Sequence, residues 1–181
     1  MTEDKFPNIP CDGAAHVLDF TIGVRKLHSY MYHVDQQPPP EIKELIGFYN
    51  IWQTHKKPDK IPSWSDFSFE EFVGWHSNVR VMESGNSPAD KKRVLIMGET
   101  YSSYWGRKSM YDQIHSENPP PQEFINLYYK YLEHIFNHHF ALTIGVLPTM
   151  SGNAHSIMFL DLPLANNGQD VSHLLSAILP A

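Results

Sequence analysis

The residues best suited to chemistry are the eleven histidines, and two of them have the spacing of a metal-binding pair. In "EHIFNHHF", His134 and His138 are four residues apart, which places them on one face of a helix and suits two ligands of a zinc ion. A metal site also needs a third ligand and supporting hydrogen bonds, and the sequence has no His-Glu-x-x-His or Cys-x-x-Cys motif. We therefore predict no metal site and no bound cofactor, and interpret both side chains as solvated histidines at a helix end.

Candidate catalytic residues are few. The chain has no Gly-x-Ser-x-Gly elbow, no phosphate-binding loop and no dinucleotide glycine pattern. The best titratable pair is His115 with Glu117 or Asp112, and it is a weak candidate. Cys11 is the single cysteine, which excludes an intramolecular disulfide. We predict that the protein is not an enzyme; a small hydrolase or isomerase is the alternative.

A concentration of aromatic residues is the strongest local feature. "GETYSSYWGRKSMYDQI" runs from Gly98 to Ile114 and follows the strand-like run "RVLIM". Aromatic side chains at the end of a strand either fill a core or form the wall of a cavity. The sequence is compatible with both.

The composition narrows the class of protein. The chain has 181 residues, 41% of them apolar, and a formal net charge of −6. This acidic balance disfavours nucleic acid binding, which needs a basic face. No apolar run approaches the roughly 20 residues of a membrane-spanning helix, and the acidic start "MTEDKFPNIP" does not resemble a signal peptide. These features predict a cytoplasmic protein that does not bind membranes.

Hydrophobic periodicity predicts an α+β fold. Helices are expected at about 41–53, at 68–75 with Ser68 and Glu71 in a capping box, within the aromatic segment, and after Pro121. Strands are expected at 78–84 and at 93–98, the latter covered on both faces. Three further strands, "HFALTIGVL", "HSIMFLDL" and "VSHLLSAIL", are joined by short turns and must form an antiparallel meander. The result is a five-stranded antiparallel sheet with helices covering one face.

The first 40 residues carry a separate pattern. "DQQPPPE" interrupts any helix and divides the chain into an N-terminal helical extension, residues 1–40, and a domain, residues 41–181. Within the extension, apolar residues follow a 3-4-3-4-3 spacing typical of an amphipathic or coiled-coil helix. The residues of this stripe are Val17, Phe20, Val24, Leu27, Met31 and Val34. The stripe predicts a homodimer interface at about residues 14–35; a helix that packs on its own sheet is the alternative.

From about Leu45 to Leu179, the chain resembles a bacterial group of PAS-domain proteins. The resemblance is carried by "YNIWQ" (Tyr49 to Gln53), by "IPSWSDFSFEEF", and by "GETYSSYWGR" followed by "SMYDQI". The cysteine motif of flavin-binding light sensors is absent. The resemblance implies a PAS-like fold with a central cleft under the aromatic segment.

The resemblance also implies a function and a set of site residues. A stand-alone PAS-like sensory or interaction module would bind a small apolar or aromatic ligand, or a partner protein, in signalling. A structural adaptor with a fully packed cleft is a further alternative. The residues expected to line the cleft are Tyr101, Tyr104, Trp105, Tyr111, Phe124, Tyr128, Leu132, Phe140 and Leu142.

Overall fold

A seven-stranded antiparallel sheet forms the centre of the computed structural model, which describes residues 13–22, 25–148 and 154–180. The strands lie in the order β1-β2-β5-β6-β7-β3-β4. Their bounds are β1 His16–Ile22, β2 Arg25–His33, β3 Val79–Glu83, β4 Arg93–Met97, β5 His139–Pro148, β6 Ala154–Ala165 and β7 Val171–Pro180. The predicted β3–β4 hairpin and β5–β6–β7 meander are confirmed.

Four α-helices and three 3₁₀ helices join the strands in the described residues. The α-helices are α1 Ile46–His55, α2 Glu99–Trp105, α3 Met110–Ile114 and α4 Gln122–Phe136. The 3₁₀ helices are Pro40–Leu45, Trp64–Asp66 and Phe69–Phe72. The predicted capping box is present, since the Ser68 amide donates to Glu71 Oε1 at 2.7 Å. Gly106 ends α2 with a φ of 82°, a conformation that glycine adopts without strain. No helix in this part of the chain is long and apolar enough to cross a membrane.

The predicted N-terminal helix is wrong, because residues 16–22 and 25–33 are the two antiparallel strands of a β-hairpin. β1 pairs with β2, and β2 extends the sheet by pairing with β5 from Lys26↔Val146 to His33↔His139. β-branched and aromatic residues are frequent here, which favours strands. The spacing of 3 and 4 was a misleading signal, because Leu27, Ser29 and Met31 also alternate and are buried together.

The residues of the apolar stripe therefore do not share one face. Phe20, Leu27 and Met31 are buried beneath α4, whereas Val34 is buried on the opposite side of the sheet. Val17 is 43% exposed. Val24 and Cys11 lie outside the described residues.

Helices cover both faces of the sheet, and the expectation of a single covered face is wrong. On one face, α1 and the 3₁₀ helices pack against alternate strand residues, and this cluster includes Trp52, Trp64 and Trp75. On the other face, α2, α3 and α4 pack against the remaining residues, with Trp105 at the edge of the cluster. A sheet buried on both sides must be apolar at successive positions, as β6 is from Ile157 to Leu160.

β4 also differs from expectation. It is the end strand of the sheet, and Leu95 is 37% exposed. The sequence predicts that the run "RVLIM" is covered on both faces, but Val94, Ile96 and Met97 are only partly buried, as expected for the end strand of the described sheet.

Candidate functional site

A cavity of about 40 Å³ lies between the sheet and helices α2, α3 and α4. It has room for about three water molecules. Strands β1, β2, β3, β6 and β7 contribute residues to its floor. The lining residues are Phe20, Leu27, Ser29, Arg80, Met82, Tyr101, Trp105, Met110, Phe124, Tyr128, Tyr131, Leu132, Phe159, Asp161 and Leu174.

Five of the nine residues expected at the cleft line this cavity. They are Tyr101, Trp105, Phe124, Tyr128 and Leu132. Two others lie in the same helical layer but outside the lining. Tyr104 makes an edge contact with His155, with ring centroids 6.1 Å apart, and Tyr111 stacks on His115 at 4.0 Å.

Phe140 and Leu142 lie on the wrong side of the sheet for this cavity. Both are fully buried in the cluster beneath α1, where Phe140 stacks on Tyr32 with centroids 5.3 Å apart. Alternation places their neighbour Ala141 on the cavity side. The expectation that they line the cleft is therefore wrong, because the periodicity of β5 separates two faces without indicating which face α2 to α4 cover.

A buried polar cluster forms the floor of the cavity. Arg80 of β3 and Asp161 of β6 are both register partners of Ser176 on β7. Asp161 accepts hydrogen bonds on both carboxylate oxygens, from the Tyr131 hydroxyl and from Ser176 Oγ. Arg80 Nη2 donates to Ser176 Oγ at 3.2 Å and lies 3.5 Å from Asp161 Oδ1. The guanidinium also lies over the Tyr101 ring, 4.7 Å from its centroid, a cation–π arrangement.

Two donors at this cavity have no hydrogen-bond partner among the described residues. They are Arg80 Nε and Trp105 Nε1, and both atoms are buried. Buried donors are normally satisfied by protein or water. The cavity therefore presents unsatisfied N–H groups to whatever occupies it.

The tyrosines around the cluster are held in their neutral form. Burial raises the pKa of Tyr101 and of Tyr128, and burial together with the Asp161 charge raises the pKa of Tyr131. Neutral phenols can donate one hydrogen bond each. The site is thus rich in donors, with one carboxylate already engaged by two hydroxyl groups.

The motifs of the sequence do not indicate this polar cluster, although a signal for it exists. Arg80 stands within "NVRVMES" and Asp161 within "HSIMFLDL", both otherwise apolar strand sequences. A charged residue inside a strand with two buried faces must be paired. That rule could have identified the two residues, but not their proximity.

The histidines gather elsewhere, at the junction of α4 with the hairpin. His134 stacks on His16 with centroids 4.1 Å apart, and His139 makes edge contacts with His16, His33 and His134. His138 does not share a helix face with His134, since α4 ends at Phe136 and His138 Nε2 contacts the Gln169 carbonyl at 2.8 Å. In the described residues, no group of three or more His, Cys, Asp or Glu has the geometry of a metal site.

The candidate catalytic pair does not reach the cavity. His115 is exposed and its Nδ1 contacts the Tyr111 carbonyl at 2.8 Å. Asp112 accepts a hydrogen bond from Ser109 Oγ at 2.7 Å and belongs to the capping box of α3. Its role there is structural.

Comparisons with known proteins find similarity among solved structures. No protein-family model matches the chain. No curated protein is similar to it. Among solved structures, the chain is similar to the one described as "Structure of an RNA-binding Light-Oxygen-Voltage Receptor", with 15% identity and a TM-score of 0.42. The match covers 84% of this chain and 38% of the receptor chain, so the chain spans well under half of that protein's length.

Proposed function

We propose that this chain is a non-enzymatic, PAS-like sensory module that binds a small molecule in the cavity beneath α2, α3 and α4. The observation that carries the proposal is the pair of unsatisfied buried donors, Arg80 Nε and Trp105 Nε1, at a cavity walled by aromatic side chains. Ligand sites are commonly apolar cavities with a few convergent polar groups. The motif "GETYSSYWGR", which carries the resemblance to PAS proteins, supplies two of the walls, Tyr101 and Trp105.

The size of the cavity refines the expected ligand. A cavity of about 150 Å³ accommodates benzene, whereas this one has about 40 Å³. An aromatic ligand would therefore require side chains such as Trp105 or Tyr128 to move. A smaller molecule fits without such movement.

The domain organisation is part of the same proposal. The five strands of residues 41–181 are contiguous in the sheet, in the order β5-β6-β7-β3-β4, and β1 and β2 are added beyond β5. This order supports a PAS-like domain at 41–181 with residues 1–40 as an extension. The extension would offer a surface for a second copy or for a signalling partner, in the cytoplasm.

Native mass spectrometry with a visible absorption spectrum tests the binding function. We expect a small bound mass, or a vacant protein that takes up a small ligand, and no haem or flavin absorption. Trp105→Ala should weaken binding more than it lowers stability, and Trp75→Ala on the opposite face serves as the control. If no ligand is recovered or taken up and Trp105→Ala costs roughly 3–5 kcal/mol of stability, the cleft is a packed core and the protein is an adaptor.

A further inference from the structure

We propose that the cavity binds a short-chain monocarboxylate of about one to three carbons, held by the Arg80 guanidinium and the Trp105 indole. This inference rests on the proposed function, because it names the ligand class of the same cavity. Four observations support it: two unsatisfied donors, a carboxylate satisfied by other groups, the small volume and the apolar walls.

The unsatisfied atoms call for a ligand that accepts hydrogen bonds. Arg80 Nε and Trp105 Nε1 are both donors, and neither group has an accepting atom. Arg80 is 6% exposed, so bulk water does not satisfy it. A carboxylate only accepts hydrogen bonds, and its two oxygens match the planar fork of a guanidinium.

Asp161 leaves the Nε side of this fork available, whereas Nη2 already donates to Ser176. Its two oxygens already accept hydrogen bonds from Tyr131 and Ser176. Its contact with Arg80 is 3.5 Å long and involves Nη2 alone, beyond the usual range of a charge-assisted hydrogen bond. The arginine is thus held in place by its neighbours without being fully neutralised, and a second anion can approach Nε.

The volume and the walls of the cavity limit the size of the ligand and the chemistry of its remaining atoms. A cavity of about 40 Å³ has room for about three non-hydrogen atoms, so it admits formate as it stands and acetate or propionate only when side chains such as Trp105 move outward. The lining also includes apolar side chains, among them Met82, Met110 and Phe159. A methyl or ethyl group can bury itself there, which favours acetate or propionate over an inorganic oxyanion and excludes a second carboxylate.

Two-dimensional NMR of the uniformly ¹⁵N-labelled protein tests the proposal directly. The four tryptophan indole N–H groups give separate resonances, and Trp105→Phe identifies the one from Trp105. Titration with sodium acetate and sodium propionate should shift this resonance saturably, whereas sodium chloride at equal ionic strength should not. The Trp52 indole, which donates to the Pro163 carbonyl at 2.9 Å, should stay in place.

Matched variants and ligands separate the contribution of the Trp105 donor from that of the ligand charge. Trp105→Phe keeps an aromatic side chain but removes the indole donor, so it should weaken acetate binding about tenfold or more, as measured by calorimetry. Trp75→Phe, on the opposite face, should leave the affinity unchanged. Acetamide has the shape of acetate without its charge and should bind at least about tenfold more weakly.

The results that would overturn the proposal are distinct from those that would overturn the ligand-binding function. If acetamide binds as well as acetate, or nitrate binds more tightly than propionate, the carboxylate assignment is wrong although the cavity binds ligands. The same holds if native mass spectrometry finds a neutral ligand and acetate leaves the Trp105 resonance unshifted. If no probe shifts that resonance and no bound mass is found, both proposals fail.

Discussion

Arg80 and Asp161 face each other across β7, with Arg80 Nη2 3.5 Å from Asp161 Oδ1 and both residues in register with Ser176. Each side chain is more than nine-tenths buried. Two opposite charges at this depth stabilise little as a pair, but either one alone is costly.

Removal of one partner of this ion pair should therefore destabilise the fold strongly. Asp161→Asn leaves the Arg80 charge uncompensated and should lower the free energy of unfolding by about 3 kcal/mol. The double variant with Arg80→Met and Asp161→Asn should lose less free energy of unfolding than the two single variants lose in sum, because it has no unpaired charge. Chemical denaturation of the three variants measures this coupling. Additive losses would show that the two charges do not interact.

Close packing of β2 against β5 predicts a second effect on stability. A methyl group at Gly145 would lie 1.9 Å from the Lys26 carbonyl oxygen and 2.8 Å from Leu27 Cα. Gly145→Ala should therefore push the hairpin from the sheet and cost about 1–3 kcal/mol or more. Gly47→Ala in α1 is the matched control. Its added methyl group would lie 3.6 Å from the nearest atom, Cζ2 of Trp75, and alanine stabilises a helix by up to about 1 kcal/mol relative to glycine. Equal stability of the two variants would contradict this close approach.

Alkaline pH should destabilise the fold through the cavity tyrosines. Burial raises the pKa values of Tyr101, Tyr128 and Tyr131 above the ordinary value of 10.0. The unfolded chain loses these protons first, so stability is intact below pH 10 and falls as pH rises above it. Ultraviolet absorbance should show these phenols ionising only as the protein unfolds. A smooth titration of all nine tyrosines in the folded state would disprove this.

Acidic pH should destabilise the fold through the histidines at the junction of α4 with the hairpin. Burial lowers the pKa values of His134 and His139 below 6.5, and the neighbouring His16 lowers both further, although hydrogen bonds to the Asn137 and His134 carbonyls oppose the lowering of the His139 pKa. The unfolded state binds protons first, so stability is present above pH 6.5 and is lost as pH falls below it. Lys130 adds to the effect on His134, and Glu133 opposes it.

A substitution of His134 tests this pH dependence. His134→Asn should flatten the decline of thermal stability between pH 7 and pH 5, relative to the wild type. His155→Asn, at an exposed position of β6, is the control and should leave the decline unchanged. The cluster has no part in the acid response if both variants behave like the wild type.

The homodimer remains a prediction, and the structure changes how it should be tested. Leu27 is 4% exposed, so Leu27→Asp would damage the fold itself. Val17 is 43% exposed on β1, the end strand of the described sheet, and end strands are favoured sites of association. Val17→Asp should shift a dimer to monomer in light scattering, whereas Val73→Asp, at a position 72% exposed, should not. A monomeric wild type would disprove the dimer.

Local patterns predicted the parts of the fold that depend on local sequence. The meander of β5, β6 and β7 and the capping box of Ser68 and Glu71 follow from alternation and short-range hydrogen bonds. The N-terminal hairpin was misread because its apolar residues satisfy a helical and an alternating pattern at once. Only pairing with β5, more than a hundred residues away along the chain, decides between them.

The candidate site was predictable to a similar degree. Aromatic residues next to the glycines of "GETYSSYWGR" indicated the helical wall of the cavity, and Tyr101 and Trp105 lie there. The floor was not predictable, because Arg80 and Asp161 meet only through their common neighbour on β7. Phe140 and Leu142 were assigned to the wrong face, because the sequence of a strand does not indicate which helices cover each of its faces.

The division of the tryptophans between the two faces gives this protein a built-in optical reporter. Trp52, Trp64 and Trp75 belong to the cluster beneath α1, whereas Trp105 is the single tryptophan of the cavity side. The difference between the emission spectra of the wild type and Trp105→Phe therefore isolates the cavity. Fluorescence quenching that is seen in the wild type and absent from Trp105→Phe comes from the cavity side of the sheet. The three remaining indoles report whether the other side responds as well.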